Sequence, residues 1–415
     1  MRPAVPPAAR STRSRLAAAA AACALLSAGA LWSAGPASAS AARPRQAGAT
    51  LPAALRGDLS DYLAARRTAE HISAVSLEIT FRDGRPAISL ADGTTRYNGG
   101  PPVPASDLWQ VGSNTKAFTA LILLQLEAEG KLSVDDPIGR WLPQYPAWRH
   151  VTIRQLLDMT SRIPSYTGQP AFADALEANP AASFTTARLI SYVTGLPLGP
   201  AGYHYTNTDY LLAQLIIEKV THHSYASQLT RRIIGPLRLH TTCLAPSTCP
   251  PSDAARMPAG YLYDAGVPRS LLGHAVPPLA LTWAQGAGGI VSSLADMAKW
   301  DRALYTRRLL PPRQQHELES LVSEATGQPI ARTSPADPAG YGLGVQQTAS
   351  QVGALWDYEG ETYGNRVLHL YFPRSGLIIA VAANSATDPD KDALVALAGA
   401  VYETLQKAGA VQASA

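Results

Sequence analysis

The sequence is poor in charged residues and in cysteine, and it lacks the motifs that mark several enzyme classes. Charged residues make up 16% of its 415 residues, and only three cysteines are present. No Gly-x-Ser-x-Gly occurs, which argues against an α/β-hydrolase. No His-Glu-x-x-His and no paired cysteine ligands occur, so we expect neither a metal site nor a cofactor. The glycines at 286–289 lack the spacing of a phosphate-binding loop, so we expect no nucleotide site.

The first 41 residues differ from the rest and predict a secretory signal peptide. They hold four arginines and no acidic residue, followed by an Ala-rich apolar run at 16–32 and a small-residue segment at 37–39. Cleavage after Ala39 and cleavage after Ala41 fit equally well. The run is too short for a membrane anchor, so we expect a protein that is secreted or associated with the cell wall, without a membrane span after cleavage.

Removal of the signal peptide also changes the charge balance. Of the 35 basic residues, 31 remain against 31 acidic residues, so the mature chain is neutral. A neutral chain gives no reason to expect nucleic-acid binding. Two cysteines remain, Cys243 and Cys249, within the segment CLAPSTC. In an exported protein this close pair favours one local disulfide, with two free thiols as the alternative, whereas a metal site would need further His or Cys ligands nearby.

Strand patterns lie at both ends of the chain, with helical patterns between them. We expect strands at 73–81, 354–358, 366–372 and 377–383, a hairpin return at 85–90 and a turn at Asp92-Gly93. Helices are expected at 51–69, 151–159, 207–221, 225–234 and 388–407. This order predicts an α+β fold: an antiparallel sheet built from both chain ends and flanked by helices, with a second, mostly helical domain. The predicted division is a signal peptide (1–41), a linker (42–50), a sheet domain (51–110 and 345–410), a helical domain (111–344) and a frayed tail (411–415).

The first candidate for chemistry is Ser113 with Lys116, in the stretch from Asp107 to Gly130. The pattern there predicts a glycine turn and then a long apolar helix opening at Ser113, so both side chains lie on one face of its first turn. A serine needs a base to become a nucleophile, and a buried lysine with a lowered pKa can serve. The alternative is a helix cap beside a surface lysine. It is weakened because this is the only Ser-x-x-Lys of the chain and because the helix around it is apolar.

Two further stretches are candidates for the same site. In YHYTNTDY, Tyr205 and Asn207 precede a helix and place a phenol beside an amide, and the phenol can share proton transfer with a buried cation. The alternative is a packed tyrosine beside an N-cap asparagine. In WDYEGETYG, Gly360 lies at the end of a predicted strand and lets a substrate backbone come close, while the following N–H can face an oxyanion. The alternative is a plain bulge or hairpin.

Taken in order, these motifs resemble the serine β-lactamase and penicillin-binding superfamily. The similarity is greatest to its branch of class C β-lactamases, DD-carboxypeptidases and family VIII esterases, which carry Ser-x-x-Lys, Tyr-x-Asn and Lys/His-x-Gly. Here these are Ser113 to Lys116, Tyr205 to Asn207 and Tyr358 to Gly360. Supporting similarity lies at 130–143, 151–164, 287–300 and 341–344, and the resemblance spans about 51–406. It implies a β-lactamase/transpeptidase-like fold.

The resemblance also implies roles for the residues of the three motifs. Ser113 would attack a carbonyl carbon, Lys116 and Tyr205 would manage its proton, and water would hydrolyse the acyl-enzyme. Asn207, Tyr358 and Gly360 would contact the substrate, and the backbone N–H groups of Ser113 and Glu361 would hold the oxyanion. The implied partner is a small molecule or a peptidoglycan peptide, and no oligomeric state is implied.

The third motif departs from the family pattern because Tyr358 stands where a cation is usual. A tyrosine brings no charge to a substrate carboxylate, and charge-assisted hydrogen bonds are about twice as strong as neutral ones. Arg366 is the candidate substitute, while Asp357, Glu359 and Glu361 would make the cleft acidic if they faced it. We therefore expect a secreted serine hydrolase that is DD-carboxypeptidase-like or β-lactamase-like. The alternatives are an esterase or D-amino-acid amidase of the same fold, or a non-catalytic cell-wall-binding relative.

A smaller departure lies in the segment at 151–164. Met159 and Arg162 replace the histidine and glycine that are frequent there in the family. That segment is structural in the family, so we expect a change of packing only.

Overall fold

A computed structural model describes residues 50–263, 273–387 and 394–411. The predicted signal peptide, most of the predicted linker and residues 412–415 of the tail lie outside the described residues. The helices are α1 (Leu51–Glu70), α2 (Thr115–Ala128), α3 (Ile153–Leu157), α4 (Pro170–Ala178), α5 (Thr186–Ser191), α6 (Asn207–Thr221), α7 (Tyr225–Leu229), α8 (Gly235–Leu237), α9 (Gln285–Gly288), α10 (Leu294–Tyr305), α11 (Pro312–Leu318) and α12 (Leu394–Lys407).

The strands are short except near the two ends of the described chain. They are β1 (Ala74–Thr80), β2 (Ile88–Arg96), β3 (Gly99–Pro102), β4 (Trp109–Gln110), β5 (Cys243–Leu244), β6 (Gly260–Tyr263), β7 (Ala275–Val276), β8 (Ile290–Ser292), β9 (Leu321–Ser323), β10 (Pro329–Ile330), β11 (Ala339–Tyr341), β12 (Gln346–Ser350), β13 (Gly353–Thr362), β14 (Asn365–Phe372), β15 (Leu377–Ala383) and β16 (Ser385–Thr387).

One ten-stranded antiparallel sheet organises the molecule, in the order β10-β9-β11-β12-β13-β14-β15-β1-β2-β3. The first strand of the described residues, β1, pairs with β15 on one side and with β2 on the other, so that Ser76 lies opposite both Ala382 and Ala91. The predicted fold class is therefore confirmed: the sheet is built from both chain ends.

Helices cover both faces of this sheet, which explains the apolar sequences of its central strands. α1 and α12 pack on one face, where Leu59 and Val401 join the strand residue Ile379 in one core cluster. On the other face lies α10, whose Trp300 stacks on Phe118 of α2 with ring centroids 3.7 Å apart. All residues of β14 and β15 are buried, as expected for strands covered on both faces.

A single asparagine ties three distant parts of the chain together. The fully buried Asn384 accepts hydrogen bonds from the backbone N–H groups of Ser73 and Ala74, each at 2.9 Å. Its amide nitrogen donates to the hydroxyl of Ser73 and to the carbonyl of Ala259, each at 2.8 Å. One side chain therefore stabilises the pairing of β1 with β15, which we call the seam.

Two local predictions were wrong. The expected turn at Asp92-Gly93 lies inside β2, where Gly93 has φ +92° and a Cβ atom there would lie 2.0 Å from the carbonyl oxygen of Ser73. The glycine thus serves a close backbone approach within a strand. The strand expected to end at Tyr358 continues to Thr362, so Gly360 and Glu361 are strand residues.

The remaining expectations concern the domains and the cysteines. β9, β10 and β11 join the sheet although they precede residue 345, so the C-terminal part of the sheet starts earlier in the chain than the predicted boundary. The two-domain division stays a prediction.

Cys243 and Cys249 form the disulfide, which excludes the free-thiol alternative. Among the described helices, none is long and apolar enough to cross a membrane.

Candidate active site

Ser113 sits in a tight turn where the chain enters α2. The turn is a 3₁₀ segment, Gly112–Asn114, and the regular helix starts at Thr115, two residues later than predicted. Gly112 makes this turn possible, because its φ is +52° and a Cβ atom there would lie 2.6 Å from the backbone nitrogen of Glu361. The turn therefore presents Ser113 directly against β13.

Of the three residues predicted to be catalytic, Lys116 and Tyr205 both lie within hydrogen-bonding distance of the third, Ser113. Lys116 Nζ lies 3.0 Å from Ser113 Oγ, and the hydroxyl of Tyr205 donates to the same oxygen at 2.5 Å. Lys116 is fully buried, so the alternative of a surface lysine is wrong. Its Nζ also lies 4.7 Å from the ring centroid of Tyr205, a position in which the cationic form interacts with the ring face.

Two further oxygens hold the lysine head group. Lys116 Nζ donates to Asn207 Oδ1 at 2.7 Å and to the carbonyl of Ala287 at 2.8 Å. With Ser113 Oγ these make three acceptors, as many as an ammonium has N–H donors. A buried ammonium is costly unless it is hydrogen-bonded, and this site meets that requirement.

Asn207 is itself held by a short polar loop. Thr206, not Asn207, is the N-cap of α6, so the alternative that Asn207 is a plain cap is wrong. The amide nitrogen of Asn207 donates to Thr167 Oγ1 at 3.2 Å, and its backbone N–H donates to Ser165 Oγ at 3.1 Å. Ser165 and Thr167 were not predicted as site residues, because an isolated hydroxyl in a loop carries no pattern in the sequence.

β13 passes so close to the serine turn that only glycine fits at its contact point. A Cβ atom at Gly360 would lie 2.0 Å from the carbonyl oxygen of Val111 and 2.8 Å from the backbone nitrogen of Ser113. The predicted substrate-binding residues Gly360 and Glu361 are thereby brought beside Ser113 by backbone packing. The strand also turns into β14 through Tyr363 and Gly364, so the segment is a hairpin as well as the strand that contacts the serine turn.

Tyr358 lies on the same strand and is buried. Its hydroxyl lies 2.9 Å from the hydroxyl of Tyr341. Burial, and next the charge that Tyr205 would carry as a phenolate, raise the pKa of Tyr358 well above its ordinary value. Tyr358 is therefore a neutral hydroxyl where the family pattern has a cation.

The expectation that Arg366 replaces the missing cation is wrong. Arg366 is fully buried, donates from Nε to the carbonyl of Ser385 at 2.6 Å, and lies with Nη2 3.3 Å from Glu70 Oε2. It pairs with Glu361 across the ladder, one residue out of phase with Gly360. Because strand side chains alternate between faces, it projects from the opposite face of the sheet.

The acidic residues of the third motif do not make the cleft acidic either. Asp357, Glu359 and Glu361 alternate with Tyr358 and Gly360 along β13, so their side chains project from the opposite face. Burial raises the pKa of Asp357 to about 7. The third motif therefore contributes only uncharged groups on the side of Ser113, namely the hydroxyl of Tyr358, Gly360 and the backbone.

The replaced residues of the segment at 151–164 contact the backbone that leads to and follows Tyr205. Met159 and Arg162 both have left-handed backbones, with φ +63° and +68°. The buried sulfur of Met159 accepts from the backbone N–H of Thr206 at 3.3 Å, and Arg162 Nε donates to the carbonyl of Gly199 at 2.7 Å. These contacts are structural, as expected for this segment.

Comparison with known proteins places this geometry in a family. A family model described as Beta-lactamase matches residues 59–402. The chain belongs to the beta-lactamase family. Members of this family with the beta-lactamase fold are serine hydrolases, in agreement with the expected resemblance.

Several named proteins are similar to this family member in sequence or in structure. It is 29% identical over 266 residues to Penicillin-binding protein 4* of Bacillus subtilis, covering 62% of this chain and 56% of that protein. The chain spans about half the length of the curated relatives it matches. Among solved structures, a D-stereospecific amidohydrolase from Streptomyces sp. matches with TM-score 0.69 and 28% identity, covering 85% of this chain and 97% of that one. The D-amino acid amidase from Ochrobactrum anthropi SV3 with D-phenylalanine matches with TM-score 0.73 and 23% identity, over 86% and 99%, which shows the shared fold.

Proposed function

We propose that this protein is a serine hydrolase that forms an acyl-enzyme on Ser113 and acts on amides or esters whose leaving group carries no carboxylate. The observation that carries the substrate class is the neutral, buried Tyr358 in the place of a cation. A carboxylate placed there would lose its hydration and gain one neutral hydrogen bond at most. An amide or ester leaving group has no such cost.

In the proposed reaction Ser113 Oγ attacks the carbonyl carbon while its proton passes to the pair formed by Lys116 and Tyr205. Both partners contact the oxygen directly, at 3.0 Å and 2.5 Å, so whichever is unprotonated can act as the base. The same pair then protonates the leaving amine or alcohol. Water attacks the acyl carbon in the second half, and its proton follows the same route back to Ser113.

The charge that develops on the carbonyl oxygen would be stabilised by two backbone N–H groups, those of Ser113 and Glu361. Gly112 and Gly360 allow the two backbones to approach without a clash. Loss of one donor in such a pair costs roughly a hundredfold or more in rate.

An aromatic wall beside the site favours substrates with an apolar side chain. Tyr363, two residues beyond Glu361, packs on Trp283 with ring centroids 5.0 Å apart. The hydroxyl of the buried Tyr166 donates to the carbonyl of Trp283. Together with the similarity to a D-stereospecific amidohydrolase, this supports D-amino-acid amides or esters with an aromatic side chain as substrates.

The second candidate is a penicillin-sensitive DD-peptidase, or a β-lactamase, exported to the cell envelope. It is favoured by the similarity to Penicillin-binding protein 4*. This candidate requires the site to accept a substrate carboxylate. It therefore predicts that a leaving group with a carboxylate is preferred to one without.

The test compares two substrates that differ in the leaving group, D-phenylalanine amide and D-phenylalanyl-D-alanine. We expect kcat/KM for the amide to be at least about tenfold higher, since each 1.4 kcal/mol of lost interaction is a factor of ten. Ser113→Ala should lower both by about a thousandfold or more. Ser227→Ala, an exposed serine on α7, is the matched control and should change neither.

Each other outcome has a definite meaning. A higher rate on the dipeptide would overturn the proposed substrate class and support the peptidase. A benzylpenicillin adduct mapped to Ser113 by intact mass and peptide mapping would do the same, whereas disappearance of the penicillin would indicate a β-lactamase. No turnover of any substrate, with binding of peptidoglycan fragments that survives Ser113→Ala, would indicate a non-catalytic relative.

A further inference from the structure

A buried hydrogen-bond network lies directly behind Ser113 and uses none of the residues assigned above. Its centre is Asn114, which is almost fully buried. The amide nitrogen of Asn114 donates to two carbonyl oxygens, that of Val111 at 2.8 Å and that of Val367 at 3.0 Å. One bond stays within the serine turn, and the other crosses to β14. Asn114 therefore ties the turn to the sheet.

The oxygen of the same amide is held by His369. His369 Nδ1 lies 2.8 Å from Asn114 Oδ1, and His369 Nε2 lies 3.1 Å from the hydroxyl of Tyr305. Since the amide nitrogen faces two carbonyls, its oxygen must be the acceptor, so Nδ1 carries the hydrogen and Nε2 accepts from Tyr305. The chain of donors runs from Tyr305 through His369 to Asn114.

A neighbouring carboxyl group does not compete for His369. Asp301 Oδ1 lies 3.7 Å from Nδ1, which is beyond hydrogen-bond distance. Burial lowers the pKa of His369 to about 3, so the imidazole is neutral and forms no ion pair with Asp301, whose own pKa burial raises well above its ordinary value. The Nδ1 hydrogen is thus available to Asn114 alone.

The register of the sheet connects this network to the proposed oxyanion donors. Val367 lies opposite Gly360 in the ladder between β14 and β13. A Cβ atom at Gly360 would lie 2.6 Å from Asn114 Nδ2 and 2.8 Å from the backbone nitrogen of Ser113. A shift of the Asn114 side chain therefore moves the turn relative to β13, the two elements that supply the donors.

We propose that Asn114 and His369 are positioning residues that set the spacing between the Ser113 and Glu361 N–H groups. The proposal rests on the acyl-enzyme function proposed above. Neither residue contacts the substrate. His369 fixes the orientation of the Asn114 amide, and Asn114 fixes the turn against the sheet.

Three variants separate the parts of the network. His369→Phe keeps a ring of similar size and removes the donor to Asn114. His369→Asn places an amide nitrogen one bond from Cγ, as Nδ1 is, and should restore the bond. Tyr305→Phe removes the hydroxyl at the far end of the network and leaves the bond between His369 and Asn114 in place, so it is the matched control.

The readout compares an oxoester with the thionoester of the same acid and alcohol. Sulfur is a weaker hydrogen-bond acceptor than oxygen, so the preference for the oxoester measures the quality of the two donors. We expect His369→Phe to lower kcat for the oxoester by about tenfold to a hundredfold, with KM little changed, and to lower the oxo/thiono rate ratio. His369→Asn should restore the ratio, and Tyr305→Phe should leave it unchanged.

Other results would overturn the proposal. Equal losses on both esters, with an unchanged ratio, would show that the network serves only folding, and urea unfolding of each variant would measure that loss. A ratio that falls equally in Tyr305→Phe would place the effect elsewhere. Failure of the proposed function would be distinct, because the unmodified protein itself would then form no acyl-enzyme with either ester.

Discussion

At the scale of single residues, the tyrosines around Ser113 set the electrostatics of the site. Tyr205 contacts the nucleophile, Tyr358 contacts Tyr341, and Tyr203 packs on Tyr341 with ring centroids 5.5 Å apart. Burial raises the pKa of Tyr203, Tyr341 and Tyr358. The site therefore offers neutral hydroxyls around one lysine, an environment suited to uncharged substrate ends.

Tyr358→His should make the protein react faster with benzylpenicillin. Histidine can become a cation beside the penicillin carboxylate, and a charge-assisted hydrogen bond is about twice as strong as a neutral one. We expect an adduct on Ser113, followed by intact mass, to form in the variant at least about tenfold faster than any adduct of the unmodified protein. Tyr341→Phe, which removes the partner hydroxyl without adding a charge, should give no increase. An unchanged rate in Tyr358→His would mean that this position does not set specificity.

The sequence was informative about the residues of the motifs and uninformative about their partners. Ser113, Lys116 and Tyr205 could be predicted because a helical turn and two ordered motifs bring them together. The position of Arg366 could not, because a shift of one residue in strand register reverses the face to which a side chain points. Asn114 and His369 gave no signal, since buried polar contacts between distant segments leave no periodicity.

At the scale of elements, the contact between the serine turn and β13 is made by backbone atoms together with the Asn114 side chain. Predictions were best where one element has a strong pattern, as in α6, whose predicted bounds are those observed. They were poorest where tertiary contact decides. β13 continues past Gly360 to Thr362 because it stays paired with β14 as far as Asn365. The sequence pattern of one strand does not reveal where its pairing with another strand ends.

Gly360→Ala should abolish activity while the fold survives. The added methyl group would meet the carbonyl oxygen of Val111 at 2.0 Å, so β13 must move away from the turn. We expect a loss of at least about a hundredfold in kcat/KM, because one oxyanion donor is displaced. Gly57→Ala is the control: nothing lies within 4 Å of its added Cβ in α1, so it should stabilise the helix by up to about 1 kcal/mol without affecting activity. Full activity in Gly360→Ala would contradict the proposed donor at Glu361.

At the scale of the whole molecule, the sheet joins segments that lie at opposite ends of the described chain. The seam between β1 and β15 is locked by Asn384, which also reaches Ala259. This global arrangement was predictable from the order of strands and helices. The asparagine was not, because nothing in the sequence distinguishes it from an ordinary turn residue.

Asn384→Ala should destabilise the whole fold. It leaves the buried N–H groups of Ser73 and Ala74 and the carbonyl of Ala259 without this partner, and each unsatisfied group costs about 1–3 kcal/mol. We expect the free energy of unfolding in urea to fall by roughly 2–4 kcal/mol, with kcat of the folded protein unchanged. Asn179→Ala, which removes an exposed local bond to Ala181, should lower stability by a few tenths of a kcal/mol at most. Equal effects of the two variants would show that the seam does not depend on Asn384.

The central seam also has a consequence for the timing of synthesis. Ser73 and Asn384, which meet at the seam, are 311 residues apart in the chain. At about 5–20 residues per second, a ribosome that has made Ser73 needs roughly 15–60 s to reach Asn384. During that interval β1 can pair with β2 but leaves its other edge open, and an open strand edge invites association with other chains. A newborn chain of this protein thus depends on shielding of that edge until β15 and Asn384 have been made.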